Sequence, residues 1–318
     1  MGGRSRKPTG EFVDRIDDRG VRAGKRRRAE PVDSEPTRTG RVLANYGIQC
    51  LVRFEQEAPV RLPIPRHLSA VAGDIVVCDD EFVREIRPRL AVLARADLTR
   101  SQILAANIDR VVLVQSAADP PYRDGFTDRY QVFAAVMGLP LVLVLNKIDR
   151  AEPGVIDLAR RHEAYGVDVV CVSATHGDGL DDLAALMREG TSVLSGHSGV
   201  GKSSILARLL PESAIVVGEM NATTGRGRQT TTTARAYPFG DGFVIDTPGV
   251  RQFSLIGVEP THVVRAFADI AAIAAECRYR DCLHAGEPNC AVARAVKDGR
   301  LAPDRYASYR RIVESLQV

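Results

Sequence analysis

With 318 residues, 45% of them hydrophobic, 26% charged and a net charge of only +3, the chain has the make-up of a soluble globular protein of two or three domains. That balance excludes a fibrous or wholly disordered chain, and the total charge does not by itself demand a polyanionic partner. No apolar run approaches the ~18–20 residues that cross a bilayer, and the first residues lack a secretory apolar stretch; a cytoplasmic protein with no membrane partner is expected, its six cysteines reduced or metal-bound.

Residues 1–35 carry Arg4, Arg6, Lys7, Arg15, Arg19, Arg22 and the run Lys25, Arg26, Arg27, Arg28, with almost no large apolar side chains. Such a segment cannot bury enough surface to offset its ordering entropy. It reads as a disordered basic tail, either a solvated solubility tail or an arm for phosphate backbones. From about 39 to 95, short strand-like runs (TGRVLANYG, IQCLVRF, APVRLPI, GDIVVCDD) are punctuated by Gly40, Gly47, Pro63, Pro65 and Gly73. They predict a small β-barrel or sandwich. Cys50, Cys78 and Cys171 sit in apolar runs and read as inert core thiols.

After Ile103 compact apolar runs appear: RVVLVQS (110–116), LVLVLN (141–146), VDVVCVS (167–173), TSVLS (191–195) and FVID (243–246). Helical patterns at 127–138 and 180–190 separate several of them. Near-continuous apolar strands alternating with helices predict a parallel sheet covered on both faces. The last sixty or so residues read as helices interrupted by a cysteine-rich stretch.

Gly196, His197, Ser198, Gly199, Val200, Gly201, Lys202 and Ser203 fit G-x-x-x-x-G-K-S between an apolar strand and a helix that begins at Ser203 and Ser204. The glycines let backbone N–H groups wrap a phosphate, and the helix N-terminus adds partial positive charge. Lys202 is expected to reach the β- and γ-phosphates and Ser203 to ligate Mg²⁺. Asn146, Lys147, Ile148 and Asp149 end the strand LVLVLN. A carboxylate at Asp149 can accept from both N1–H and the exocyclic amine of guanine, whereas adenine has no donor at N1. Asn146 can bond the other edge of the base, and the Lys147 stem can lie on its face. Ser173 and Ala174, followed by Thr175, close the next strand with small residues that let a backbone N–H approach the guanine carbonyl.

Asp246, Thr247, Pro248 and Gly249 end FVID: Asp246 is expected to bond Mg²⁺ through water, and Gly249 to offer its N–H to the γ-phosphate. Between these motifs lies Gly225-Arg226-Gly227-Arg228-Gln229 followed by four threonines. Thr231 or Thr232 is expected to complete the Mg²⁺ shell when the γ-phosphate is present, making the segment an order–disorder switch. Val250 occupies the position after the Asp-Thr-Pro-Gly motif, where many GTPases have a water-orienting glutamine; Gln229 is the candidate replacement, and an exposed loop glutamine is the alternative reading. The motif order is permuted, with base recognition first, then the phosphate loop, then the two switches. A sheet whose termini adjoin can be reconnected in this way without disturbing its site.

Cys277-x4-Cys282-x-His284-x5-Cys290 places three thiolates and an imidazole within fourteen residues, a closed set suited to structural Zn²⁺, with redox pairing of the cysteines as the rival reading. The other histidines, His162 included, carry no partner spacing; only His197 has a possible loop contact.

Together the motifs NKID, SAT, GHSGVGKSS, the Thr-rich switch, DTPGVRQF and C-x4-C-x-H-x5-C resemble the RsgA family of circularly permuted GTPases, over roughly residues 39–318. The resemblance implies an OB-fold RNA-binding domain at 36–97, a permuted P-loop GTPase domain of α/β type at 98–255, and an α-helical zinc-binding domain at 256–318. It also implies a role with the small ribosomal subunit and its rRNA, late in subunit maturation, with subunit-stimulated hydrolysis of GTP to GDP and phosphate by a monomer. Gln229 departs from the histidine usual in the family. Arg87, Arg89, Arg95 and Arg100 are candidate phosphate contacts, with plain solvated arginines an equal alternative. A GTP-dependent RNA-binding scaffold and an ATP-using P-loop kinase are the rival readings; Val250 favours the first, and Asp149 speaks against the second.

Overall fold

The apolar runs of the sequence's second half form strands of one sheet. The computed structural model describes residues 37–55, 57–96, 101–211, 234–247, 255 and 257–316. The basic tail, Arg100, Gln229, Thr231, Thr232, Gly249 and Val250 lie outside the described residues.

Strands β8 (Arg110–Ser116), β9 (Leu141–Asn146), β10 (Asp168–Val172), β11 (Thr191–Ser195) and β13 (Gly242–Asp246) run parallel in the order β10-β9-β8-β11-β13. Alternate side chains face opposite sides of a strand, and here both sides are covered. Val112, Val114, Val142, Val144 and Leu194 pack under helices α3 (Leu180–Met187) and α4 (Lys202–Leu209). Their neighbours Val111, Leu113, Leu143, Leu145 and Val193 face a second cluster that includes helix α1 (Asp124–Met137). Helix α2 (Val155–Arg160) precedes β10. α1 stops at Gly138, whose φ of 66° lets its N–H reach back to the carbonyls of Ala134 and Ala135.

The N-terminal strands are β1 (Arg38–Asn45), β2 (Gln49–Arg53), β3 (Val60–Pro63), β4 (Ile75–Cys78) and β5 (Val83–Ile86), all antiparallel and wrapped on a core of their own (Val42, Val52, Phe54, Leu62, Val76, Val83). β1 is shared, pairing β4 through its first half and β2 through its second. Burial pushes the pKa of Cys50 up to about 12 and that of Cys78 up to about 11, as expected of inert thiols. β6 (Val92–Ala96) and β7 (Ser101–Ala106) form a separate antiparallel pair.

A strand not expected from the sequence, β12 (Arg235–Phe239), joins the two halves: it pairs antiparallel with β13 on one side and, at Ala44 opposite Arg235, with β1 on the other. Among the described residues the result is one eleven-stranded sheet. The C-terminal helices α5 (Pro260–Ala266), α6 (Ala268–Ala274), α7 (Ala291–Lys297) and α8 (Pro303–Glu314) have no separate core: Val263, Phe267, Ile270, Val292, Tyr309 and Ile312 share the cluster that contains Tyr130 and Phe133 of α1.

Candidate functional site

Parallel strands end at one edge of a sheet, and ligands of open α/β folds bind there. Asn146 ends β9, Ser173 follows β10, Gly196 follows β11 and Asp246 ends β13. Four sequence-distant motifs thus meet at one edge.

The phosphate loop between β11 and α4 needs backbone that other residues resist. Gly196 has φ 148° and a Cβ there would strike the Val114 carbonyl; Gly201 has φ 98° and a Cβ there would strike the Asn146 amide. Lys202 is 8% exposed, and its Nζ donates to Gly196 O at 2.8 Å and His197 O at 3.0 Å. Burial lowers its pKa, opposed by the Asp246 carboxylate. His197 stacks on Phe126 with ring centroids 4.3 Å apart. Ser198, Gly199, Ser203 and Ser204 are exposed along the same turn, and Val200 is buried beneath it.

Asn146 joins the loops. It is 1% exposed; its Nδ2 donates to Val200 O at 2.9 Å, and its Oδ1 accepts from Ala174 N at 3.1 Å. Lys147 sits at φ 63°, a left-handed conformation that costs an L-residue about 1 kcal/mol or more, and its Nζ donates to Gly199 O at 2.7 Å and to Asp119 O. Ile148 and Asp149 follow in a single 3-10 turn. One carboxylate oxygen of Asp149 accepts the Ser173 hydroxyl at 2.6 Å.

Beside the phosphate loop, Asp246 lies opposite Leu194 in the β13–β11 register. Its Oδ1 is buried with no hydrogen-bond partner among the described residues. Burial pushes its pKa up to about 6, against the pull of the Lys202 ammonium. A buried carboxylate oxygen left so, with Ser203 exposed one residue beyond Lys202, suits a hard divalent cation. The Thr247 hydroxyl donates to Leu194 O at 2.7 Å and fixes the residue that follows Asp246.

At the other end of the chain Cys277, Cys282, His284 and Cys290 put their ligand atoms within 4.8 Å of one another. Zn–S of ~2.3 Å and Zn–N of ~2.0 Å in a tetrahedron imply S···S near ~3.8 Å and S···N near ~3.5 Å. Here Cys277 Sγ is 4.0 Å from Cys290 Sγ, and His284 Nδ1 is 3.5 Å and 3.4 Å from Cys277 Sγ and Cys290 Sγ. The four residues therefore fit a tetrahedral thiophilic ion. Glu287, which the sequence did not single out, accepts N–H groups from Leu283, Ala285 and Gly286 at 2.8, 2.8 and 3.1 Å, fastening the ligand loop. Burial alone would raise the pKa of that carboxyl; the backbone donors outweigh it and lower the pKa.

Other departures are visible. His162 is 1% exposed and its Nε2 donates to Asp124 Oδ1 at 2.9 Å. Arg89 is committed internally, to Asp74 Oδ1 at 2.7 Å and Ser69 O at 2.8 Å, and does not reach outward for a phosphate as expected. Arg87 is exposed, and the Arg95 side chain lies outside the description.

A family model described as RsgA GTPase matches residues 86–256. A Small ribosomal subunit biogenesis GTPase RsgA from Saccharophagus degradans is 37% identical, over 87% of each chain. Its counterpart from Pseudomonas aeruginosa is 36% identical over 96% of this chain and 95% of its own. This chain belongs to the RsgA GTPase family. As an RsgA-family GTPase it is a GTP hydrolase. Solved structures agree in fold: YloQ, described as a circularly permuted GTPase, superposes with a TM-score of 0.67 at 25% identity over 91% of this chain and 98% of its own. YjeQ from Thermotoga maritima gives 0.68 at 26% identity over 89% and 99%. The RsgA fold thus accounts for the permuted order of the motifs along this sheet edge. Among the described residues no helix is long and apolar enough to cross a membrane.

Proposed function

We propose that this RsgA-family chain binds GTP with Mg²⁺ at the strand-end edge and hydrolyses it while maturing the small ribosomal subunit, bound to rRNA and stimulated by the subunit. One observation carries the nucleotide placement: Asn146 ties the Val200 carbonyl of the phosphate loop to the Ala174 amide of the base-side loop, so both loops share one scaffold. Asp149 then faces the guanine N1–H and amine, and Lys147 the face of the base. Lys202 and the amides of 196–203 hold the phosphates. Ser203, Asp246 and Thr231 or Thr232 would hold Mg²⁺, which neutralises charge on the phosphate oxygens; Gly249 N–H bonds the γ-phosphate, and Gln229 orients water.

The relatives' names carry the subunit assignment, supported by a tail rich in arginine and by short antiparallel strands of the sort OB-fold RNA binders use. Zn²⁺ is the proposed ion for Cys277, Cys282, His284 and Cys290, a structural role since no ligand position is open. We place the divisions at 35/36, 97/98 and 255/256, keep the chain monomeric and put it in the cytoplasm, in contact with no membrane. Phosphate release measured with and without purified small subunits tests the reading: slow turnover alone and strong acceleration by subunits are expected, and equal rates overturn it.

A further inference from the structure

Helix α1 carries two stripes on opposite sides. Residues three, four and seven apart share a helix face, so Phe126, Tyr130, Phe133 and Met137 form one stripe and Asp124, Asp128 and Gln131 the other. The aromatic stripe ends at the phosphate loop. Tyr130 Oη lies 2.5 Å from Ser195 Oγ, both side chains fully buried, and Ser195 immediately precedes Gly196. Phe126 packs edge-on against Tyr130 at 5.0 Å and stacks on His197.

The polar stripe ends on α8. Arg305, 4% exposed, spends three different nitrogens across two helices: Nε on Asp269 at 3.2 Å, and its two terminal nitrogens on Asp128 and on Gln131, the latter at 3.3 Å. Its guanidinium carbon lies 3.8 Å from the Tyr165 ring centroid and 4.0 Å from that of Phe267. α8 also reaches the cysteine loop, because the hydroxyls of Tyr306 and Tyr309 donate to the carbonyls of His284 and Leu283 at 2.7 and 2.8 Å.

His197 is where this chain of contacts meets the phosphate loop and Lys202. Its carbonyl, with that of Gly196, holds Lys202 Nζ folded back on its own loop, and its ring is held by α1. The ammonium has three N–H donors and spends two on these carbonyls, so a shift of α1 that moves His197 re-aims the third, the one left for a phosphate. We propose that Arg305 is a positioning residue for the GTPase reaction: acting through α1, it sets the geometry of residues 195–197, so that the C-terminal helices tune nucleotide affinity and bound nucleotide tightens those helices in return. The coupling is reciprocal by thermodynamic necessity. It rests on residues 196–203 being the nucleotide site.

Lysine cannot reproduce a three-way fork stacked between two rings, so Arg305→Lys breaks the far end while keeping the charge, and Tyr130→Phe breaks the near end by one hydroxyl. Affinity for a fluorescent GDP is measured on the full chain for the parent, both singles and the double, with thermal melts to confirm folding. Each single is expected to weaken GDP by about fivefold, and the double by about fivefold as well, not by the product expected of independent sites. GDP should slow amide exchange in α8 of the parent but not of Arg305→Lys. A folded Arg305→Lys chain with parental affinity, or a multiplicative double, overturns the proposal. If Arg305→Lys does not fold, Asp269→Asn, which removes a single partner of the guanidinium, is read in the same assay with the same outcomes. A parent that binds no GDP sinks the nucleotide-site reading first, and the proposal with it.

Discussion

The Ser173 hydroxyl donates to the Asp149 carboxylate at 2.6 Å and accepts the His176 amide at 3.1 Å, so an oxygen of the base-reading residue is held by the neighbouring loop. Replacing Asp149 with Asn puts a donor beside the guanine amine and should shift preference toward xanthine nucleotides. Competition between GTP and XTP measures it; unchanged GTP binding would place this motif away from the base.

The same contact has a pH signature. The Ser173 hydrogen bond is the largest cause holding the Asp149 pKa below the ordinary carboxylate value, against a smaller opposing effect of burial. A depressed native pKa adds stability above the unfolded value near ~3.9, and that stability is lost as pH falls through the native one. Ser173→Ala should raise the carboxyl titration midpoint, read by NMR at the Asp149 side-chain carbon. An unmoved midpoint would remove Ser173 from this role.

Asn146→Ala strands Val200 O and Ala174 N where water cannot easily replace their partner. Unsatisfied buried groups cost roughly 1–3 kcal/mol each, so about 2–6 kcal/mol should disappear from unfolding stability and GDP binding taken together. Urea melts and GDP titrations report it, and a loss under about 0.5 kcal/mol in both contradicts the joining role.

Elemental analysis should find about one zinc per chain, absent in Cys282→Ser, since structural zinc is held only by a complete ligand set. Glu287→Ala, which frees three backbone N–H groups of the ligand loop, should weaken metal affinity by about 10–100-fold, as loss of an outer support does. Parental affinity in that variant would make Glu287 incidental.

Val250 supplies no amide for the attacking water. Gln229→Ala should therefore lower the subunit-stimulated rate while leaving GDP affinity nearly unchanged, since a water-orienting group acts beyond the bound nucleotide. Identical stimulated rates for variant and parent rule Gln229 out.

The parallel strands were legible because burial on both faces writes itself as uninterrupted Val and Leu, and RVVLVQS, LVLVLN and TSVLS became β8, β9 and β11 with no change of boundary. The cysteine cluster was legible from spacing alone. β12 was not, since Arg-Ala-Tyr-Pro-Phe has a proline that argues against a strand interior and little alternation. Arg305, Asp128 and His162 were missed for a different reason. Charged residues on a helix read as a solvated face, and only the packing of α8 against α1 makes them buried partners. Ser173 was read for its smallness, yet its hydroxyl does the orienting.

The seam at β12 bears on how the chain is made. Ala44 waits for Arg235, and by then β8, β9, β10 and β11 have all been synthesised. Pairing across so long a loop is entropically late and slow. Until β12 arrives, that flank of β1 presents unpaired backbone, the kind of edge that recruits foreign strands. A ribosome-bound intermediate truncated before residue 235 should for that reason be the aggregation-prone species of this protein, and its solubility should recover once synthesis passes β13.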